Sequence, residues 1–301
     1  MAICEISKTW IGGIQQFMLL FSALCCLIMS MKISIKEYLK KKLRTTPVYA
    51  KVTYLSASEK LKGKRILVTG GTGGIGLALA KRFVAEGAKV LIAGRNEEKL
   101  NQVAAELKCE ALALDVTRVE SFDAFLADAL EKMGQIDCLV NNAGVSYHES
   151  FLSVTPEGFD QQISTNLKGP FFLSQKVLSY MAKNNIKGQV LFISSETGET
   201  SDIRPYGLSK AAINSLVQGL AYLYVKKGIR VNAVAPGVTA SSMTGFQADG
   251  DLNCSYTASR RVYLPEEMAE VAAFLLSDAS GCVSGQIITC NNGNTINARW
   301  K

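Results

Sequence analysis

RILVTGGTGGIG, the stretch from Arg65 to Gly76, decides the fold of this chain. A short apolar run typical of a β-strand leads into a glycine-rich turn, and a helical pattern of apolar residues begins near Ile75. Gly70 would allow a sharp turn, Gly74 would let the backbone approach a pyrophosphate, and Gly76 would let the helix pack closely on the strand. The positive N-terminal end of that helix would face the phosphates. The order of strand, turn and helix therefore predicts a nucleotide site.

The length and charge of the chain restrict its class. With 301 residues it can hold one large α/β domain and an extension. The net charge of +7 comes entirely from residues 1–63, which contain ten Lys/Arg and three Asp/Glu, because residues 64–301 contain 23 of each. The globular part has no net basic bias, which argues against nucleic-acid binding.

Cysteine and histidine usage argues against a metal site. Eight cysteines include no C-x-x-C pair, and His148 is the single histidine. Free thiols in a reducing compartment are therefore favoured over a disulfide framework or a zinc site. We expect no metal ligands in this chain.

The N-terminal segment 1–31 is strongly apolar. No charged residue occurs from Thr9 to Met31, and a helix of that length would be roughly 34 Å long, enough to cross a bilayer. A cleaved signal peptide is disfavoured because no A-x-A-like site follows. The basic excess that does follow predicts that the C-terminal part stays in the cytoplasm. A membrane-anchored protein is the main expectation; a start at Met29 or Met31 would instead give a soluble cytoplasmic protein.

Residues 32–62 form either a basic linker or an amphipathic helix. Apolar residues from Ile35 to Leu43 fall on one face at helical spacing, within a stretch from Lys32 to Arg44 that has six Lys/Arg and one acid, Glu37. Such a helix could lie on an anionic membrane surface. The sequence leaves both interpretations open.

From residue 63 onward, apolar strand-like runs alternate with helical patterns. The runs are Arg65 to Thr69, Lys89 to Ala93, Ala111 to Leu114, Ile136 to Asn141, Gln189 to Ser194, Arg230 to Val234 and Gln286 to Cys290. Short apolar strands separated by helices are typical of a parallel sheet covered on both faces. The sequence predicts an α/β fold with a doubly wound parallel sheet of seven strands in a single domain, 63–297.

Several signals occur together in an order that resembles the short-chain dehydrogenase/reductase family. The sequence is similar to the single-domain branch that includes 3-oxoacyl-carrier-protein reductases, which implies a Rossmann-type sheet. The matching pieces are Thr69-Gly70-x-x-x-Gly74-x-Gly76, Asp115 in LALDV, Asn141-Asn142-Ala143-Gly144, Asn166 in TNLKG, Ser195 in ISSETG, Tyr206-x-x-x-Lys210, Pro236-Gly237 and Asn291 to Gly293.

The resemblance implies a catalytic group of four side chains. Tyr206 and Lys210 are four residues apart in a helical pattern, so they share one face, and the ammonium is expected to lower the pKa of the phenol. Tyr206 would exchange a proton with the substrate oxygen while hydride moves to or from nicotinamide. Lys210 would also hold the nicotinamide ribose, Ser195 would bind the substrate oxygen, and Asn166 would support a water near Lys210. Ser194 is a neighbouring candidate for the role of Ser195.

The end of the second strand indicates the cofactor. Gly94 stands where an acidic residue would bind the ribose hydroxyls of NAD, and Arg95 follows with donors that suit a 2′-phosphate. NADP(H) is therefore favoured over NAD(H), with a plain solvated arginine as the competing interpretation. The expected cofactor-binding residues are Gly70, Thr72, Gly74, Ile75, Gly76, Arg95, Asp115, Val116, Asn142, Ala143, Gly144, Tyr206, Lys210, Pro236, Gly237, Val238 and Thr239.

The expected reaction is reduction of a carbonyl or oxidation of a secondary alcohol. The segment from Met243 to Arg261 is polar without an amphipathic helix, so it gives no sign of a long acyl chain or a steroid, and a sugar derivative is equally possible. A sugar-nucleotide epimerase or dehydratase and a non-catalytic nucleotide sensor are the alternatives. The family also implies a homodimer or homotetramer built from the helices after Pro156 and Pro205.

Overall fold

A computed structural model of the chain describes residues 59–147 and 149–296. The predicted apolar segment 1–31, almost all of segment 32–62, and His148 lie outside the described residues. Within the described part, no helix is long and apolar enough to cross a membrane.

A seven-stranded parallel sheet forms the centre of the fold. The strands are β1 (Arg65–Thr69), β2 (Lys89–Gly94), β3 (Glu110–Ala113), β4 (Cys138–Asn141), β5 (Gln189–Ile193), β6 (Arg230–Pro236) and β7 (Ile287–Cys290). Their order is β3-β2-β1-β4-β5-β6-β7, and every neighbouring pair is parallel. The predicted sheet is confirmed. Its strand order reverses between β1 and β4, where doubly wound sheets bind ligands at the carboxyl ends of the strands.

Helices cover both faces of this sheet. They are α1 (Gly74–Ala85), α2 (Glu97–Leu107), α3 (Phe122–Met133), α4 (Pro156–Ile163), α5 (Gly169–Lys183), α6 (Pro205–Tyr224) and α7 (Pro265–Leu276). Side chains alternate along each strand, so Ile66 and Val68 pack in a core cluster with α1 and α7, whereas Leu67 packs in a second cluster with α3, α5 and α6. Two apolar layers therefore hold the sheet rigid beneath its carboxyl edge.

A π-helical turn, Ser164–Lys168, joins α4 to α5 and carries Asn166. Such turns insert an extra residue into a helix and are frequent at functional sites. Directly after it, Gly169 packs so closely on the chain beyond β3 that a Cβ there would overlap the Val116 carbonyl oxygen. The close packing fixes where α5 begins, and with it the position of Asn166.

Candidate active site

A cleft follows the carboxyl ends of β1, β2, β4 and β5. It has two parts with volumes of about 240 and 440 Å³, and both are lined by Gly70, Thr72, Arg95, Ala143 and Gly144. Because the two parts share one wall, they form a continuous elongated groove. That shape fits a dinucleotide whose two halves lie on either side of the strand-order reversal.

The glycine-rich turn leaves no room for a side chain at its centre. Gly70 and Gly74 have φ angles of +68° and +49°, in the left-handed region that glycine tolerates best. A Cβ on Gly76 would overlap both the Gly70 carbonyl oxygen and the Asn142 amide nitrogen. That amide donates to the carbonyl oxygens of Thr69 (2.9 Å) and Gly70 (3.1 Å), so it locks the turn against β4.

The N-terminus of α1 opens into this groove. Its N-cap residue, Gly73, offers no side-chain acceptor, and its first turn contains no acidic residue. The first backbone N–H groups of a helix lack partners within the helix, so they remain available to an anion. The turn therefore fits the pyrophosphate of a nicotinamide dinucleotide.

Asp115 marks the end of the groove away from α1. Its carboxylate accepts hydrogen bonds from the backbone N–H (2.9 Å) and the hydroxyl (2.8 Å) of Thr117. Burial acts to raise the pKa of Asp115, but these hydrogen bonds and the positive charge of Arg95 outweigh it and hold the pKa below its usual value. Asp115 is therefore a fixed acceptor for a polar group such as an adenine amine.

Ser195 and Tyr206 meet at the other end, where β5 ends and α6 begins. The Ser195 hydroxyl is close enough to the Tyr206 phenol to lower its pKa. Ser195 Oγ also accepts from the backbone N–H (3.3 Å) and the hydroxyl (3.0 Å) of Thr197. Ser194 Oγ instead donates to Asn214 Oδ1 at 2.6 Å. Of the two serine candidates, Ser195 is the one that contacts the tyrosine.

The pKa of the Tyr206 phenol is raised above its ordinary value. Burial is the largest cause; the hydrogen bond with Ser195 and the charge of Arg204 lower the pKa, and Glu196 raises it. The net shift is opposite to the lowering expected from Lys210, because burial dominates; Lys210 Nζ lies over the ring, 5.6 Å from its centroid. Tyr206 is therefore a protonated acid throughout the neutral range.

Lys210 is a buried lysine, with 5% of its surface exposed. Its ammonium donates to the Ile193 carbonyl oxygen at 2.8 Å, at the carboxyl end of β5. Burial lowers the pKa of Lys210 from 10.5 to about 8. The side chain is still mostly charged at neutral pH, and two of its three protons remain for other acceptors.

Because of this lowered pKa, the charged form of Lys210 destabilises the native state, by an amount that depends on pH. Below pH 8 Lys210 is charged in both states, and its burial destabilises the native state relative to the unfolded chain. Above pH 10.5 it is neutral in both states, and this destabilisation disappears. The free energy of unfolding of the wild type therefore rises with pH between about 8 and 10.5. Lys210→Met should therefore stabilise the fold at pH 7 by up to about 3 kcal/mol. Urea denaturation at pH 7 and pH 10 measures this. An equal difference in stability between the wild type and Lys210→Met at both pH values would contradict the conclusion that burial lowers the pKa of Lys210.

Asn166 supports the loop behind the cleft. Its side-chain oxygen accepts from the Val145 N–H (2.9 Å), and its amide donates to the Val145 carbonyl oxygen (2.8 Å). A Cβ built on Gly144 would lie 3.3 Å from Asn166 Oδ1 and 3.8 Å from Lys210 Nζ. Asn166 and Lys210 therefore approach the same side of Gly144, although Asn166 itself does not line the cleft.

The structure brings almost all of the predicted residues to one groove. Those that line it are Gly70, Thr72, Gly74, Ile75, Gly76, Arg95, Asp115, Val116, Asn142, Ala143, Gly144, Ser195, Tyr206, Lys210, Pro236, Gly237 and Thr239. Val238 packs instead against a small apolar cluster of Ala240, Cys254 and Val262. Its assignment stays a prediction.

Sequence reasoning missed other residues of the groove, among them Gly73, Asn96, Lys99, Ser242, Met243 and Thr244. Lys99 could have been predicted from the sequence, because it lies four residues after Arg95 at the start of a helical pattern. The other residues carry no pattern of their own, since they belong to turns whose path depends on distant contacts.

Comparisons with known proteins agree with this arrangement. A family model described as enoyl-(acyl carrier protein) reductase matches residues 70–295. Gluconate 5-dehydrogenase of Gluconobacter oxydans (strain 621H) is 34% identical over 247 residues, covering 78% of this chain and 96% of the relative. The oxidoreductase UcpA of Salmonella typhimurium is 36% identical over 255 residues, covering 79% and 96%.

Solved structures share the fold. A short-chain dehydrogenase/reductase from Mycobacterium marinum superposes with a TM-score of 0.73 at 30% identity, covering 79% of this chain and 97% of that chain. A 3-ketoacyl-(acyl-carrier-protein) reductase from Brucella melitensis, in complex with NADH, gives 0.73 at 29% identity, covering 78% and 100%. The present chain belongs to the short-chain dehydrogenase/reductase family. It is an NAD(P)-dependent enzyme that acts on CH–OH groups.

Proposed function

We propose that this enzyme uses NADP(H) to reduce carbonyl groups or to oxidise secondary alcohols, with Tyr206 as its general acid or base. The observation that carries the proposal is the placement of Ser195, Tyr206 and buried Lys210 together at the end of a groove that fits a dinucleotide.

Each side chain has a definite task in this reaction. The bound nicotinamide supplies hydride in reduction and accepts it in oxidation. In reduction, the Tyr206 hydroxyl gives its proton to the substrate oxygen, and its raised pKa keeps that proton in place beforehand. Ser195 orients the same oxygen, and the ammonium of Lys210 stabilises negative charge on the phenol oxygen. Asn166 acts from behind Gly144 by fixing Val145, and it supports a water near Lys210.

The preference for NADP(H) rests on Arg95. This residue lines both parts of the groove, is exposed, and forms no ion pair within the described residues. Gly94 before it provides no carboxylate for ribose hydroxyls. A guanidinium in this place suits a phosphate dianion, which it can bind with two parallel hydrogen bonds.

Arg95→Glu should reverse the cofactor preference. The substitution removes the phosphate partner and adds repulsion, so we expect the Kd for NADPH to rise at least about 100-fold, since a lost charge-assisted bond and a like-charge contact together exceed roughly 2.7 kcal/mol. The Kd for NADH should change less than about threefold. Fluorescence titration with each cofactor measures both values. Equal weakening of the two cofactors would show that Arg95 does not bind the 2′-phosphate.

One wall of the groove is rich in hydroxyl groups. Ser241, Ser242 and Thr244 line it, and the Met243–Arg261 segment forms turns and isolated bridges with no regular helix. Hydroxyl side chains donate and accept hydrogen bonds, which suits a hydroxylated substrate better than a long apolar chain. We therefore favour a polar, hydroxylated substrate such as a sugar derivative, a class that includes the gluconate named for gluconate 5-dehydrogenase.

Assembly and location are further parts of the proposal. Phe159, Phe171 and Leu208 are exposed apolar side chains on α4, α5 and α6, which supports a homodimer or homotetramer through these helices. Light scattering of the full chain measures the subunit number. The apolar composition of residues 9–31 supports a membrane anchor with the enzyme in the cytoplasm. Recovery of the native protein wholly in the soluble fraction would remove the anchor.

A further inference from the structure

We infer that Lys99 is a second cationic residue of the cofactor site, which binds the 2′-phosphate of NADP(H) together with Arg95. The inference rests on the proposed cofactor preference and deepens it. Lys99 lies in the first turn of α2 and lines the 440 Å³ part of the groove, beside Arg95.

The Lys99 ammonium stands across from the glycine-rich turn. A Cβ built on Gly73 would lie 3.6 Å from Lys99 Nζ, and no other heavy atom outside the neighbouring residues comes within 4 Å of that point. The side chain therefore extends from α2 toward the turn. Since Gly73 has no side chain, open space remains there beside an ammonium group.

Neither cation forms a salt bridge within the described residues, although the charge of Arg95 acts on Asp115, which also lines the groove. In the part of the chain that the structure describes, Lys99 and Arg95 form no ion pair, and Lys99 Nζ makes no hydrogen bond. Glu97 and Glu98 lie in the same first turn and are exposed, but neither pairs with these cations. The cations therefore add to one positive field over the groove.

Helix stability does not account for a lysine at this position. The backbone N–H of Lys99 donates to the N-cap residue Asn96 at 2.8 Å, which places Lys99 in the positive first turn of α2. A cation there is unfavourable for the helix dipole, whereas an anion between Lys99 and the turn would offset that cost. An anionic ligand therefore explains a lysine in the first turn of α2 better than helix stability does.

The location favours the 2′-phosphate over the pyrophosphate. The uncapped N-terminus of α1 already offers backbone donors to the pyrophosphate. Lys99 and Arg95 both follow β2, the strand whose end lies beside the adenosine ribose in this type of sheet. Two cations near the adenosine ribose suit the 2′-phosphate, which NADP(H) has and NAD(H) lacks.

Binding measurements on Lys99→Gln test the inference. The full chain would be titrated with NADPH, NADH and adenosine 2′,5′-bisphosphate, with Lys81→Gln as a matched control. Lys81 carries the same charge on α1 but pairs with Glu106 at 3.1 Å and does not line the groove. We expect Lys99→Gln to raise the Kd for NADPH and for the bisphosphate about tenfold, and that for NADH less than about twofold. Lys81→Gln should change none of them by more than about twofold.

Each other result overturns the inference in a recognisable way. If Lys99→Gln leaves all three affinities unchanged while wild type prefers NADPH, Lys99 is a solvated surface residue and the proposed function stands. If NADPH and NADH weaken equally, Lys99 binds a group common to both cofactors. If wild type shows no preference for NADPH, the proposed cofactor preference fails, and the role of Lys99 fails with it.

Discussion

Replacing Tyr206 with phenylalanine should lower kcat for carbonyl reduction by about 10²–10⁴-fold, the usual contribution of a positioned general acid. The phenol interacts with the Ser195 hydroxyl, and its raised pKa keeps it protonated at neutral pH. Phenylalanine keeps the ring that lies under Lys210 but removes the phenol proton that is proposed to be transferred. The measurement is steady-state turnover of a carbonyl substrate with NADPH, together with the Kd for NADPH.

Tyr222→Phe is the matched control for this variant. Tyr222 lies on the same helix, α6, and is 87% exposed, so loss of its hydroxyl should leave turnover within about twofold of wild type. The Kd for NADPH should stay the same in Tyr222→Phe and rise by no more than about tenfold in Tyr206→Phe, which would lose a single hydrogen bond to the cofactor. Turnover by Tyr206→Phe at the wild-type rate would exclude Tyr206 as the acid.

Gly76→Ala should abolish cofactor binding, with a rise in the Kd for NADPH of at least about 100-fold. The new methyl group would overlap the Gly70 carbonyl oxygen and the Asn142 amide, so the turn must move away from β4. That movement displaces the N-terminus of α1, which is the proposed phosphate site. Overpacking of this kind also destabilises a fold by roughly 1–3 kcal/mol. Fluorescence titration and urea denaturation measure the two effects separately.

Gly219→Ala provides the control, because the same change is made where space is free. Gly219 lies within α6, and a Cβ there meets no heavy atom within 4 Å. Alanine in a helix interior is more favourable than glycine by up to about 1 kcal/mol, so stability should rise slightly and NADPH binding should not change. If Gly76→Ala binds NADPH as well as Gly219→Ala does, the turn is not the phosphate site.

The sheet and the glycine-rich turn could be predicted because their signals are local. Each buried strand is a short apolar run, and the turn has glycines at positions where a side chain would collide. Strand ends were less well defined. β4 begins at Cys138 rather than at Ile136, although the Asp137 backbone still makes hydrogen bonds of 2.9 Å with Arg65 and with Gln189.

Contacts between distant segments decide the rest of the site, and no short pattern encodes them. Ser194 and Ser195 are equivalent in sequence, and only the packing of α6 directs one to Asn214 and the other to Tyr206. The pKa of Tyr206 depends on burial by several segments, so the spacing to Lys210 alone gave the wrong direction. The geometry that turns Lys99 toward Gly73 likewise exists only once α1 and α2 are packed on the sheet.

Titration of the full chain with NADPH and with NADH, followed by the change in cofactor fluorescence, tests the central claim most directly. The claim is that the groove between the glycine-rich turn and Lys210 binds NADP(H) in preference to NAD(H). It predicts saturable binding of both cofactors, with NADPH bound at least about tenfold more tightly. Equal affinities would contradict the proposed preference, and absence of binding by either cofactor would contradict the assignment of the groove itself.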